Sequence, residues 1–393
     1  MKIPQSAEGL IDNVREQFKM NFGDDAEIVA FAPGRVNVIG EHVDYNGGWV
    51  LPAAIDRFLV MAVKARSGKE VRLATATYDG RVEFTLDEIA PGRSRGWDRY
   101  VRGVLAGIIG AGNDLTGFDA CFDSNIPIGG GLSSSAAFEA ATGLAALALC
   151  GGEMDRFELA KLCQHAEHEY AGVPCGIMDQ AAVLNCKAGH LLFLDCENET
   201  FEQAPFKADG WRLMIINSGV AHELADGEYA KRRKACHDAA EIIGVSSLRH
   251  IAIEELDATL ANESLNEEMR KCVRHNVTEN DRTHKAVAAL AAGDIEEAGK
   301  QMNLSHASLR DDYRVSCDEL DYIAEIAQPL EGVAGCRMTG GGFGGSCIAL
   351  VREEVAENVS TLISTAFSTR FKHAPKIFLT TPETSAHAFK TGV

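Results

Sequence analysis

Residues 126–137 read IPIGGGLSSSAA and stand at the head of an Ala- and Leu-rich run from Ser134 to Cys150. Gly129, Gly130 and Gly131 allow a backbone to approach a ligand closely. Leu132 follows, and Ser133, Ser134 and Ser135 then place hydroxyls and amides where the run predicts a helix to begin. A helix start carries unpaired N–H groups and the positive end of the macrodipole, so this order of residues suits an anion. A tight turn followed by serine capping is the plainer alternative. The segment is not a Walker A loop: Gly68-Lys69 and Gly299-Lys300 lack the following Ser or Thr and the upstream glycine. The HRD and DFG triplets of protein kinases do not occur.

Outward from this helix the pattern is mixed. The helix should stop at Gly151-Gly152, and a second helix is expected over 156–170. Strands are expected over 27–32, 49–55, 58–66, 70–77, 81–86 and 118–123, with a helix over 98–109. Strands over 190–195 and 211–217 follow. The second half predicts helices over 228–243, 267–292, 295–309 and 317–327, then strands over 347–351 and 376–380. No steady strand–helix–strand rhythm runs through the chain, which predicts an α+β fold rather than a doubly wound parallel sheet. The polar stretch 196–210 is the expected boundary, dividing the chain into domains 1–205 and 206–393.

Composition excludes several classes. Of 393 residues, 46% are hydrophobic and 24% charged, an ordinary globular balance for a chain long enough to bury a large core. With 38 Lys and Arg against 57 Asp and Glu, the net charge is -19. Such a surface repels phosphate backbones and anionic membranes, so neither nucleic acid nor membrane is an expected partner. The 11 cysteines are scattered and none form C-x-x-C; free thiols in a reducing compartment are expected. The first residues, MKIPQSAEGLIDNVREQF, show no apolar signal core, and the longest weakly polar stretch, 140–149, is too short to span a bilayer. A cytoplasmic protein, and a monomer, is expected.

Three more segments carry chemistry. Residues 32–46, APGRVNVIGEHVDYN, bring Glu41, His42 and Asp44 into four positions ahead of Asn46-Gly47-Gly48, which suits multidentate hydrogen bonding to a polyhydroxyl ligand or a solvated turn. Residues 175–180, CGIMDQ, place Asp179 at the start of an expected helix, where a carboxylate complements the dipole or acts as a general base. Glu167 and Glu169 precede it, each a magnesium ligand or a surface charge. Residues 337–346, RMTGGGFGGS, fit G-x-G-x-x-G only formally; a flexible or ligand-hugging loop is the better reading, because a Rossmann fingerprint belongs in the first strand–turn–helix unit.

These four segments, in this order, resemble the GHMP kinases. The stretch APGRVNVIGEHVDYNGGWVLP is similar to the signature of the galactokinase family within them, and WDRYVRGV, EYAKRRKAC, VRHNVTENDRT and SHASLRDDYRVSCDELD agree with it. The resemblance runs from about Phe31 to about Leu350. It implies a two-domain GHMP kinase fold, with an N-terminal domain like the second domain of ribosomal protein S5 and a ferredoxin-like C-terminal domain. It implies transfer of the ATP γ-phosphoryl group to the C1 hydroxyl of α-D-galactose, with Mg2+. Asp179 would accept the C1 proton, and Arg35 would hold that carboxylate ionised and stabilise the transferring group. Glu41 (near O6), His42, Val43, Asp44 (at O3 and axial O4), Gly176 and Tyr229 would bind the sugar. Gly129, Gly130, Gly131, Leu132, Ser133, Ser134 and Ser135 would cradle the phosphates, Trp97 would lie against adenine, and Ser135 and Glu167 would hold magnesium. Val43 stands where Thr or Ile is commoner, and Ala137 where Ser is usual. A related sugar-1-kinase acting on N-acetylgalactosamine, or a galactose sensor without activity, is the alternative; the intact serine run and Asp179 argue against the sensor.

Overall fold

The computed structural model describes residues 3–75, 81–221 and 225–391. Its strands are β1 (Ile28–Asn37), β2 (Trp49–Val50), β3 (Pro52–Ala65), β4 (Glu70–Thr75), β5 (Val82–Thr85), β6 (Phe118–Ser124), β7 (His190–Asp195), β8 (Thr200–Pro205), β9 (Trp211–Ala221), β10 (Val333–Thr339), β11 (Gly344–Arg352), β12 (Lys376–Thr380) and β13 (His387–Lys390). The helices are α1 (Gln5–Phe22), α2 (Asp98–Gly110), α3 (Ser134–Cys150), α4 (Arg156–Ala166), α5 (Met178–Asn185), α6 (Ala225–Ile243), α7 (Leu256–Leu260), α8 (Glu267–Ala292), α9 (Ile295–Ser308), α10 (Asp318–Ala327) and α11 (Ala356–Phe371).

Among the described residues the strands form three sheets. One has six strands in the order β13-β1-β3-β6-β4-β5, one has four in the order β10-β11-β9-β12, and the short β2-β7-β8 makes the third. All pairings are antiparallel except β4 with β6. The α+β expectation holds. The last strand, β13, returns to the first sheet and pairs with β1, so the end of the chain is built into the N-terminal half.

The six-stranded sheet buries both faces. One packs α1 through Ala7, Ile11, Val14 and Phe18 onto Val29, Phe31, Phe58 and Val60. The other carries the largest core, with Ala32, Val36, Met61 and Phe122 set against Ala136, Ala140 and Ala141 of α3 and against α2, α4 and α5. A third cluster joins β9–β11 to α8, α10 and α11 through Ile216, Val277, Leu320, Ile348's neighbours Cys347 and Ala349, and Ile363. Each large apolar side chain buried in this way contributes about 1.5–3 kcal/mol. Caps close the helices as the sequence requires: Asp155 accepts from the amides of Phe157 and Glu158, and Gly151 ends α3 in the left-handed region. No helix among the described residues is long and apolar enough to cross a membrane.

Several boundaries differ from the sequence reading. The strands expected over 49–55 and 58–66 are mostly one 14-residue strand, β3, which runs on past Ile55, Asp56 and Arg57 although these three have no partner on β1. The strand expected over 27–32 runs on through Pro33-Gly34 to Asn37, with a bulge between Pro33 and Arg35. The polar stretch 196–210 is not simply a linker: its residues 200–205 form β8, an exposed hairpin partner of β7. The late glycine run, expected as a flexible or ligand-hugging loop, forms the tip 340–343 of a hairpin, with strands β10 and β11 on either side that the glycine content did not predict. The helix over 156–170 is α only to Ala166 and continues as a π-helical turn from Glu167 to Ala171. Residues 76 and 77 of the strand expected over 70–77 lie outside the described residues.

Candidate active site

The register shift between β1 and β3 at Pro33–Arg35 sets the first candidate group. A Cβ at Gly34 would meet the carbonyl oxygen of Leu132 at 2.9 Å, so β1 presses directly on the segment 126–137. Arg35, next in line, is buried, and its Nε and Nη2 donate to Asp179 Oδ1 and Oδ2, both at 2.7 Å. Its Nη1 donates to the Gly131 carbonyl at 2.6 Å. One guanidinium therefore ties the glycine loop to the carboxylate in the first turn of α5.

The serine run does not behave as a cap. Ser133 occupies the N-cap position of α3 at φ +56°, with no capping bond from its side chain. Its hydroxyl donates instead to Asp179 Oδ2 at 2.5 Å. A carboxylate offers about four lone-pair sites; Asp179 thus has three of them occupied by Arg35 and Ser133, and its side chain remains 24% exposed. Gly129 and Gly131 both sit at φ +69°, a conformation that glycine adopts without strain.

Asp179 forms one wall of a cavity of about 400 Å³, which Arg35, Glu41, His42, Asp44, Glu167, Gly176 and the tip 340–342 also line. That volume suits a small molecule. Glu41 is almost fully buried and accepts from Arg337 Nη2 at 2.9 Å. Burial pushes its carboxyl up, and Arg337 and then Arg35 oppose that shift. Burial likewise drives the Asp44 carboxyl up to about 7, helped by the charge of Asp179. Burial also holds His42 neutral, near 3; its Nδ1 lies 3.0 Å from the Tyr45 hydroxyl and its Nε2 3.1 Å from the Gly341 carbonyl. Gly176 has no room for a side chain, since a Cβ there would sit 2.0 Å from Asp44 Oδ2.

Glu167 opens the π-helical turn, a distortion that often marks a functional site. It is buried at the cavity wall and bonded to the Ser135 hydroxyl, with Gln180 Nε2 donating to its Oε2 at 2.7 Å. Burial, then the charge of Asp179, raises its carboxyl to about 7. Glu169, the other candidate, does not line this cavity. No group of three or more His, Cys, Asp or Glu among the described residues is arranged around a metal. Beyond Ser135 a second cavity, of about 160 Å³, is lined by Trp97, Tyr100, Phe122, Ile128, Ser134, Ser135 and Phe138. Trp97 stands edge-on to Phe122 there, with ring centroids 5.0 Å apart.

Two expected residues stand elsewhere. Val43 is fully buried and lines neither cavity; its Cβ faces Gly48 and its carbonyl accepts from Asn46 and Gly48. It holds the turn that presents Asp44. Leu132 is buried in the core and acts through its carbonyl, which accepts from the Arg35 amide at 3.1 Å. Tyr229 falls on α6, but its side chain lies outside the described residues.

Sequence reasoning passed over the residues that support the loop from below. Glu279 Oε1 accepts from the amides of Gly40 and Glu41, at 3.0 and 3.1 Å, and from the Ser305 hydroxyl. Burial opposes the charge on Glu279, yet Arg282, His275 and Arg337 hold its carboxyl down at about 2. His275 Nε2 donates toward the Glu41 carbonyl at 3.0 Å. These side chains sit in VRHNVTENDRT and SHASLRDDYRV, whose polar residues at helical spacing were the available signal.

The galactokinase galactose-binding signature matches residues 16–65, the GHMP kinase N-terminal domain residues 99–187 and the GHMP kinase C-terminal domain residues 286–368. Galactokinase of Streptomyces coelicolor is 43% identical over 382 residues, covering 96% of this chain and 98% of its own. The human galactokinase is 42% identical over 364 residues, with 91% of each chain covered. The crystal structure of Lactococcus lactis galactokinase complexed with galactose superposes with a TM-score of 0.92 at 34% identity, covering 95% of this chain and 98% of that one. Methanococcus jannaschii mevalonate kinase shares the fold, with a TM-score of 0.66 at 20% identity.

Proposed function

The chain belongs to the galactokinase family of the GHMP kinases, and we propose from that premise that Asp179 and Arg35 carry the transfer of phosphate from ATP to the C1 hydroxyl of α-D-galactose. The observation that carries this reading is the Arg35–Asp179–Ser133 constellation, standing where the sugar loop and the glycine loop meet. Asp179 takes the C1 proton, the sugar oxygen bonds to the γ-phosphorus, and the bond from that phosphorus to the β,γ-bridging oxygen breaks to release ADP. Phosphoryl transfer asks mainly for positioning and charge stabilisation. Arg35 supplies both, since its fork fixes the carboxylate while its third donor holds Gly131.

Glu41 and Asp44 receive sugar hydroxyls in the larger cavity, His42 and Gly176 shape it, and the smaller cavity beside Trp97 receives the adenine ring. A carboxylate that accepts from both O3 and O4 reads the axial O4 that separates galactose from glucose, and we assign that role to Asp44, which lines the cavity. Ser135 and Glu167 fit a magnesium ion: one buried carboxylate paired with one hydroxyl leaves the remaining positions to phosphate oxygens and water. When bound, the ion neutralises charge on those phosphate oxygens. The division into domains 1–205 and 206–393 draws support from the end of β8 at Pro205 and the start of the second sheet at β9, with β13 crossing back to the first sheet. A cytoplasmic monomer is the companion proposal, supported by eleven free cysteines and the net charge of -19.

ADP release with ATP, magnesium and a sugar panel tests the reading. Turnover is expected with galactose and 2-deoxygalactose, and little with glucose, N-acetylgalactosamine, galacturonate or arabinose. Preference for another sugar would move the substrate while keeping the mechanism.

A further inference from the structure

Arg337 is among the largest fully buried side chains of the protein. A buried guanidinium demands partners, and these lie some 300 positions away in sequence. Nη2 donates to Glu41 Oε2 and Nη1 to the Asn37 carbonyl, each at 2.9 Å. Two residues on, Thr339 Oγ1 accepts from the Asn37 amide and donates to its carbonyl, both at 3.1 Å. Strand β10 of the four-stranded sheet thus grips the end of β1 and the loop beyond it. Arg35, the other cation near Glu41, has its donors committed to Asp179 and Gly131.

A buried ion pair seldom adds stability over apolar residues of the same volume, and Arg337 Nε itself finds no partner. What the pair fixes is geometry: the position of one Glu41 oxygen. We infer that Arg337 is a positioning residue for sugar recognition, holding the Glu41 carboxylate toward the substrate's exocyclic hydroxyl. This rests on Glu41 being a sugar ligand near O6.

Steady-state kinetics with galactose and 6-deoxygalactose separate the roles. For Arg337→Lys, the KM for galactose should rise about tenfold, the loss of roughly one well-aligned hydrogen bond. The kcat and the KM for ATP should stay within about threefold of the parent. The KM for 6-deoxygalactose should not change, because that sugar has no hydroxyl for Glu41 to receive. Glu41→Gln should show the same pattern, and the Arg337→Gln/Glu41→Gln double variant, which removes both buried charges, should bind galactose no worse than Glu41→Gln alone. Equal losses on both sugars, or a double variant markedly worse than Glu41→Gln, overturn the inference. If Glu41→Gln leaves the galactose KM unchanged, the assignment of Glu41 to the sugar falls, and the inference with it. Should Arg337→Lys not fold, the double variant carries the comparison alone.

Discussion

Asp179 accepts from three donors and still faces the cavity, so its lone acceptor position is aimed rather than free to wander. Asp179→Asn keeps the shape and removes the base: kcat should fall by about 10²–10⁴, the span of general-base contributions, while the KM values for galactose and ATP change by only a few-fold. Near-parental turnover would exclude Asp179 as the proton acceptor. Asp44 adds a pH dependence. Its carboxyl is raised to about 7 by burial and by the charge of Asp179, and the ionised form accepts sugar hydroxyls on both oxygens, whereas protonation turns one of them into a donor. The KM for galactose should therefore climb as pH falls below 7, approaching about tenfold per unit, and Asp44→Asn should bind weakly with a flat profile. The stability linkage has the opposite direction. Between the ordinary value of 3.8 and about 7 the folded state holds a proton that the unfolded state has lost, so this group destabilises the sugar-free protein as pH rises through that window.

At the scale of elements, the glycine loop and the β10–β11 hairpin form one unit. A Cβ at Gly340 would lie 2.8 Å from the Gly131 carbonyl oxygen, at φ +87°, and Ser346 Oγ donates to the Gly130 carbonyl at 2.6 Å. Gly340→Ala should cost about 1–3 kcal/mol of stability through backbone strain, and should raise the KM for ATP several-fold by displacing the loop. Thermal unfolding together with ATP titration checks this; a lower Tm with unchanged ATP binding would show that the hairpin only braces the fold. This contact also marks what the sequence could tell. The helix after Ser133, the strand of β6 and the polar cluster at Glu41–Asp44 were legible because local periodicity and residue type carry them. The strand character of Gly344–Ser346 was not, because glycine propensity argues against a strand and only pairing with β9 and β10 overrides it. The Arg337–Glu41 and Glu279–Gly40 contacts were hidden for another reason: they join positions more than 200 residues apart, and no local pattern encodes a distance of that kind.

At the scale of the whole molecule, the Arg35–Asp179 pair is held by the two ends of the chain. Strand β13 pairs along β1, with His387 opposite Phe31 and Lys390 opposite Ile28. The Ala386 amide donates to the Val183 carbonyl at 2.8 Å, and Arg156 Nη1 donates to the Ala386 and Leu184 carbonyls, so the same tail also fastens α5. Since β1 carries Arg35 and α5 carries Asp179, the short segment from Ala386 to Lys390 secures the elements on both sides of that pair. Removing residues 386–393 would leave β1 as an exposed edge strand, while the cluster around β9–β11 keeps its own core without the tail. The truncated chain should therefore fold but melt lower, by roughly 2–5 °C for a loss of a few kcal/mol in a protein of this size. Its kcat should fall more than its KM for galactose rises, because Glu41 and Asp44 are anchored by α8 and β10 rather than by β13. Calorimetry and kinetics on the truncated chain read both effects. An unchanged kcat with a lowered Tm would mean that the Arg35–Asp179 fork aligns itself, through its own paired hydrogen bonds, without help from the far end of the sheet.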